Sequence, residues 1–236
     1  MGSAGFRHST FTLQLDARVR EMTARRVITA GVVLAAVGVL AQTVSQLIDF
    51  RVFNLGIRAV DSNHHRSVFG VASILAQAAA AGGLALRAGW SSDRRRAWLA
   101  LGVMVAALLV VRTFLGYSAS ALAVPVAAVF GMLVWLTARD PAPVPAVVWA
   151  ALLLLGCSLA LHSVGLDTDA THDFLNYSWG YQVTGMVKHG AELAGWTLLA
   201  TAMAAAWAAQ PAYSVVVGGH AGASGSMRAI AKVGDC

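Results

Sequence analysis

Charge is the scarcest commodity in this chain: only 12% of its 236 residues are Asp, Glu, Lys or Arg, about half the share in an ordinary soluble domain. With 58% hydrophobic residues, a water-soluble fold would leave far more apolar surface than it could hide. Cysteine is nearly absent. Cys157 lies inside an apolar run and Cys236 is the last residue, so the two belong to different environments and no disulfide framework is expected. Cys236 stands in the wrong place for prenylation, and Gly2 lacks the Ser or Thr that myristoylation prefers. No Walker A loop, strand-preceded G-x-G-x-x-G, G-x-S-x-G or zinc-finger spacing occurs. An ATPase engine or a soluble catalytic domain would therefore have to be another chain.

What is abundant is the long apolar run. A bilayer core of ~30 Å takes ~20 residues of helix, and six segments qualify, near 27–49, 68–87, 97–116, 119–138, 145–163 and 188–209. In hydrocarbon each must be helical to satisfy its own backbone. The fold class expected is all-α, a polytopic transmembrane bundle of about six spans in the cell membrane. The spans define a transmembrane domain over 27–209, an N-tail over 1–26 and a flexible C-tail over 210–236. The first apolar run is too long for the core of a cleaved signal peptide, so it is expected to be retained. Phe11, Leu13, Leu15, Val19 and Met22 alternate with Arg18, Arg20 and Glu21, a pattern that suits either a surface-lying amphipathic helix or a disordered tail.

The formal charge is +6, but the positive residues gather between apolar runs, where they report orientation rather than nucleic-acid binding. Twelve Lys and Arg fall in the N-tail, the second and fourth loops and the C-tail, against three (Arg51, Arg58, Arg66) on the other side. The positive-inside rule then puts both termini in the cytoplasm. Pro141, Pro143 and Pro145 after Arg139 and Asp140 mark a stiff turn that ends span four. Small residues at Ala78–Gly83 and Ala200–Ala209 prepare close helix approach, chiefly within the bundle. An oligomer contact or a partner membrane subunit is the alternative.

On this topology the polar groups of the bundle collect at its outer end. Asp49 and His162 close outward-running spans, Lys188, His189 and Glu192 open the inward-running span six, and Arg112 lies ~24 Å along span three at 1.5 Å per residue. Ionisable groups inside spans are costly and mark pathways, cofactors or buried pairs. On a helix Lys188, His189 and Glu192 share one face. Four readings stay open. Lys188 and Glu192 can form an ion pair joined by Arg112. His189 and Glu192, with loop residues such as His172 and Asp173, can ligate a divalent metal. His162 and His189 can hold a b-type haem axially. A metal-bound water or a His base can attack a lipid ester or amide, as in the seven-helix ceramidase-like hydrolases, which have one span more.

The stretches Asp49-Phe50-Arg51, Asp61-Ser62-Asn63, Ser67-Val68-Phe69-Gly70 and Glu192-Leu193-Ala194-Gly195-Trp196 resemble a loose group of uncharacterised polytopic bacterial membrane proteins. The resemblance covers about a third of the chain. Members of that group carry an acidic-and-His motif on a middle helix, where this sequence has Arg112, Thr113 and Phe114. The resemblance implies a polytopic membrane fold and no activity. The expected function is a membrane protein with a polar cavity open to the outer face, transport-related or an accessory binding subunit. The alternatives are a metal-dependent hydrolase or transferase and a haem electron-transfer protein. The opposite face reads as anchoring arginines and flexible tails.

Overall fold

In the computed structural model the described residues are 5–54, 57, 59–60, 67–91, 93–111, 119–140, 143–164 and 179–210, with side chains described from 18 onward, from 124 in the fourth helix and up to 162 in the fifth. They form six helices and, among the described residues, no strand: α1 Gly5–Val52, α2 Val68–Arg87, α3 Arg95–Val110, α4 Ala119–Thr137, α5 Val144–Val164 and α6 Trp179–Ala208. Three of them contain stretches long and apolar enough to cross a membrane, Arg18–Val52, Val68–Arg87 and Val144–His162.

Two helices extend well beyond the apolar runs that predict them. The polar N-terminal segment is continuous with the first run in a helix of 48 residues. The last helix begins at Trp179, nine residues ahead of the expected start, because Gln182, Gly185 and Met186 continue its buried face. The expected turn at Gly116–Ser118 and the C-tail lie outside the described residues.

The last helix is the hub. It packs against α1, α2 and α5, while α2 packs on α3, α3 on α4 and α4 on α5. The α1–α6 contact is antiparallel: Gly31 meets Thr201, Gly38 meets Leu193, Val39 meets Gly190 and Gln46 meets Gln182. These glycines allow backbones to close where a side chain would hold them apart. Gly83 makes room for Met203, Gly195 for Leu155, and Gly102 lies within 3.1 Å of the Ala85 backbone once a Cβ is imagined on it. Thr137, Thr197 and Thr201 donate to carbonyls four residues back, so these hydroxyls are satisfied inside their own helices. The outward faces of α1, α2 and α5 expose Leu34, Leu40, Leu75, Leu86 and Leu153 at 64–69%, a surface suited to lipid chains rather than water.

The bundle therefore has two ends. One carries Asp49 and the start of α6, where Trp179 meets Phe50 edge-on at 4.9 Å and Arg51 lies 4.5 Å over the Trp179 ring. The other carries Arg87, with Trp90 and Trp207 stacked at 6.3 Å.

Candidate functional site

At the Asp49 end a polar seam runs between α1 and α6. Gln42, Gln46 and Asp49 follow at i, i+4 and i+7, which sets them on one helical face, and each is 0–1% exposed. Gln182, 1% exposed, accepts a 2.9 Å hydrogen bond from Gln46 Nε2. Seven residues along α6 from Gln182, His189 Nδ1 stands 3.8 Å from Glu192 Oε2, both side chains largely buried. This distance is wide for a hydrogen bond, and it makes an ion pair only when the imidazole is protonated.

Asp49 has a structural duty as well. α1 ends at Val52, Asn54 takes a left-handed φ of 48°, a conformation asparagine tolerates better than most side chains, and the backbone N–H of Ile57 donates to Asp49 Oδ1 at 2.9 Å. One carboxylate oxygen thus ties the following loop to its helix. The other, Oδ2, is buried with no hydrogen-bond partner among the described residues, and so are both amide atoms of Gln42. On α2, Ser73 Oγ and Gln77 Oε1 are in the same state, although Gln77 Nε2 reaches the Val105 carbonyl at 3.4 Å. Buried polar atoms are ordinarily paired, and an unpaired one costs about 1–3 kcal/mol. Those of Gln42 and Asp49 lie on one face of α1 and need an explanation.

Of the site residues expected from sequence, the structure brings His189 and Glu192 together and places Asp49 on the same seam-forming face of α1 as Gln46. Lys188 is half-buried on α6, and His162 is exposed in the last turns of α5. Arg112, His172 and Asp173 lie outside the described residues. Among the described residues no three His, Cys, Asp or Glu side chains come together as a metal shell. Gln182 was not among the expected residues. Its signal was the helical spacing of Gln182 and Met186, upstream of Lys188, with His189 and Leu193 beyond it, which a search for charge-free runs stops short of.

At the Arg87 end one of the expected anchoring arginines is largely buried, while Arg95, Arg96 and Arg139 are exposed. Arg87 is not directed to solvent: its Nη2 donates to Asp140 Oδ1 in an ion pair whose side chains are only 13% and 10% exposed, and its guanidinium lies 4.4 Å over the Trp98 ring. Arg94 stacks 4.6 Å over Trp135. Burial pushes the Asp140 carboxyl above its ordinary pKa, against the opposing pull of Arg87 and, more weakly, Arg94. A cleft of about 240 Å3 opens beside these groups.

No family model, curated protein or solved structure matches this chain, so only the chemistry of its own residues bears on what it does. What they define, among the described residues, is an all-helical bundle with three membrane-length helices, a buried polar seam at one end and an arginine–tryptophan cleft at the other.

Proposed function

We propose that this chain is an integral membrane protein crossing the bilayer six times, with both termini in the cytoplasm, and that the α1–α6 seam belongs to a polar site open to the outer face that holds a small polar or charged solute, in a transport-related or accessory binding role. The observation that carries this reading is Gln42, which is 1% exposed with neither amide atom hydrogen-bonded among the described residues. A bundle that needed only to pack would place an apolar residue there, since leucine fills much the same space without the desolvation cost. Retaining an unpaired amide, a carboxylate oxygen and a His–Glu pair in one end of a membrane bundle fits a site whose hydrogen bonds are completed by a ligand. The bilayer is the first partner; a second copy or another membrane subunit would cover part of the apolar face of α1.

The expected behaviour of Gln42→Leu follows. In the absence of solute the variant is more stable than the parent by about 1–2 kcal/mol, the cost of the unpaired amide being removed. It also no longer gains stability from any small polar solute that stabilises the parent in a thermal screen. A variant that loses stability, or that keeps the solute response, rejects Gln42 as a binding group. The topology is tested by single cysteines in a cysteine-free background, labelled on intact cells with an impermeant maleimide. Position 62 is expected to react from outside, and position 93 only after permeabilisation.

A metal-dependent hydrolase or transferase is the second reading, favoured by the His189–Glu192 approach of 3.8 Å. Its mark is stoichiometric metal in the purified protein that disappears on His189→Ala. The solute-binding reading expects no such loss.

A further inference from the structure

The cleft at the Arg87 end has no part in the seam, and its chemistry is different. Two of its guanidinium groups are stacked on indole rings, Arg87 on Trp98 at 4.4 Å and Arg94 on Trp135 at 4.6 Å. A guanidinium held by its face keeps its N–H edge in plane, the geometry that receives two oxygens of a phosphate or carboxylate. Arg94 spends one N–H on the Trp135 carbonyl at 3.5 Å, a long bond that fixes the group without exhausting it. Arg139 also lines the cleft, is exposed and has no ion-pair partner among the described residues.

The charge balance favours an anion. Asp140 is engaged by Arg87. Asp93 at the rim is exposed, where solvent screens it, and it is followed in sequence by Arg94 and the exposed Arg95 and Arg96. The rest of the lining is Ser91 with the apolar faces of Trp90, Trp98 and Leu136. A fixed cationic edge beside an apolar wall, at the end of helices whose sides are suited to lipid, is the arrangement that takes a phosphodiester at the membrane surface while its acyl chains stay in hydrocarbon.

We propose that this cleft binds the phosphate of an anionic phospholipid headgroup, held by Arg94 and Arg139 with Arg87 fixed behind them. A free phosphate would meet the same N–H groups but would gain nothing from Trp90 and Leu136. The proposal does not depend on the function of the seam; the orientation proposed above decides only that the lipid is in the cytoplasmic leaflet.

The test uses the full chain purified in an uncharged detergent, with its thermal midpoint followed against added short-chain phosphatidylglycerol, the matching phosphatidylcholine, or inorganic phosphate. Phosphatidylglycerol is expected to raise the midpoint saturably and phosphatidylcholine to leave it nearly unchanged. Half-saturation should move to at least tenfold higher concentration in Arg94→Gln/Arg139→Gln. Arg139→Gln alone, at an exposed side chain with no partner among the described residues, should keep the unliganded midpoint and still weaken the response severalfold. Equal responses to the two lipids, or unchanged half-saturation in both variants, overturns the proposal. Inorganic phosphate reproducing the full shift at the same concentration overturns the lipid assignment in favour of a free-phosphate site.

Discussion

Arg87→Ala is expected to lower the unfolding free energy by ~3–5 kcal/mol at neutral pH, and Asp140→Asn is expected to cost less. The figure is what is lost when one partner leaves a buried ion pair and the other charge stays behind. Here the mutation strands Asp140, 10% exposed, and also removes the guanidinium from the Trp98 face. The asymmetry comes from the carboxyl. Burial outweighs the attraction of Arg87 and raises its pKa, so folding shifts this carboxyl toward its neutral form. An asparagine amide resembles that neutral acid and still offers Arg87 an oxygen.

The sign of the pH dependence is fixed by the same fact. The folded state binds the Asp140 proton more tightly than the unfolded chain does, so this group favours folding most below the unfolded carboxylate pKa. That contribution is lost as pH rises through the raised folded value. Asp140→Asn should remove this component, and the penalty of Arg87→Ala should shrink on acidification as the stranded carboxyl takes up a proton. Denaturant or thermal unfolding of the parent and both variants across that range measures all of this. Equal losses for the two variants at neutral pH would show that the pair is held chiefly by the Asp140 charge.

The second large effect is steric. A Cβ at Gly31 would stand 2.1 Å from Thr201 Oγ1 and 2.7 Å from Thr201 Cβ. The last of these atoms is fixed to the helix, so a rotamer change cannot relieve the clash and α1 must move away from α6. Gly31→Ala is expected to cost ~1–3 kcal/mol, the range for overpacking a core, although in an isolated helix the same change would gain about 1 kcal/mol. Thr201→Gly alone is destabilising through its cavity and its helix propensity. Combined, the two should cost less than their sum, with a coupling of ~1 kcal/mol or more. Strict additivity in that double-mutant cycle would refute the contact. Gly82, by contrast, faces open space, and Gly82→Ala should be neutral or stabilising.

Helix positions were the legible part. Expected runs at 68–87, 119–138 and 145–163 correspond to Val68–Arg87, Ala119–Thr137 and Val144–Val164, because length and hydropathy are properties a linear chain states directly. The start of α6 was not legible: a buried face can carry Gln182 and a pair of charges once another helix supplies partners, and hydropathy counts those residues against a span. For the candidate seam, His189, Glu192 and Asp49 could be named from sequence, since i, i+3 spacing and position at a run's end are local facts. Gln46 with Gln182 and Arg87 with Asp140 could not, being pairs separated by 136 and 53 residues.

By itself, then, the sequence determined that this is an all-helical chain of membrane-length apolar segments whose arginines concentrate at particular loops. Apolar length and charge spacing are read along the chain and need no fold to be true. Only the tertiary structure decided that the last helix is the hub, that Gln42, Gln46, Asp49 and Gln182 are enclosed in one seam, and that an arginine expected to anchor the chain is stacked on Trp98 and paired with Asp140. Those outcomes depend on which helix faces meet, and that is set by the glycines at the α1–α6 and α2–α6 contacts, where absent side chains let the helices close.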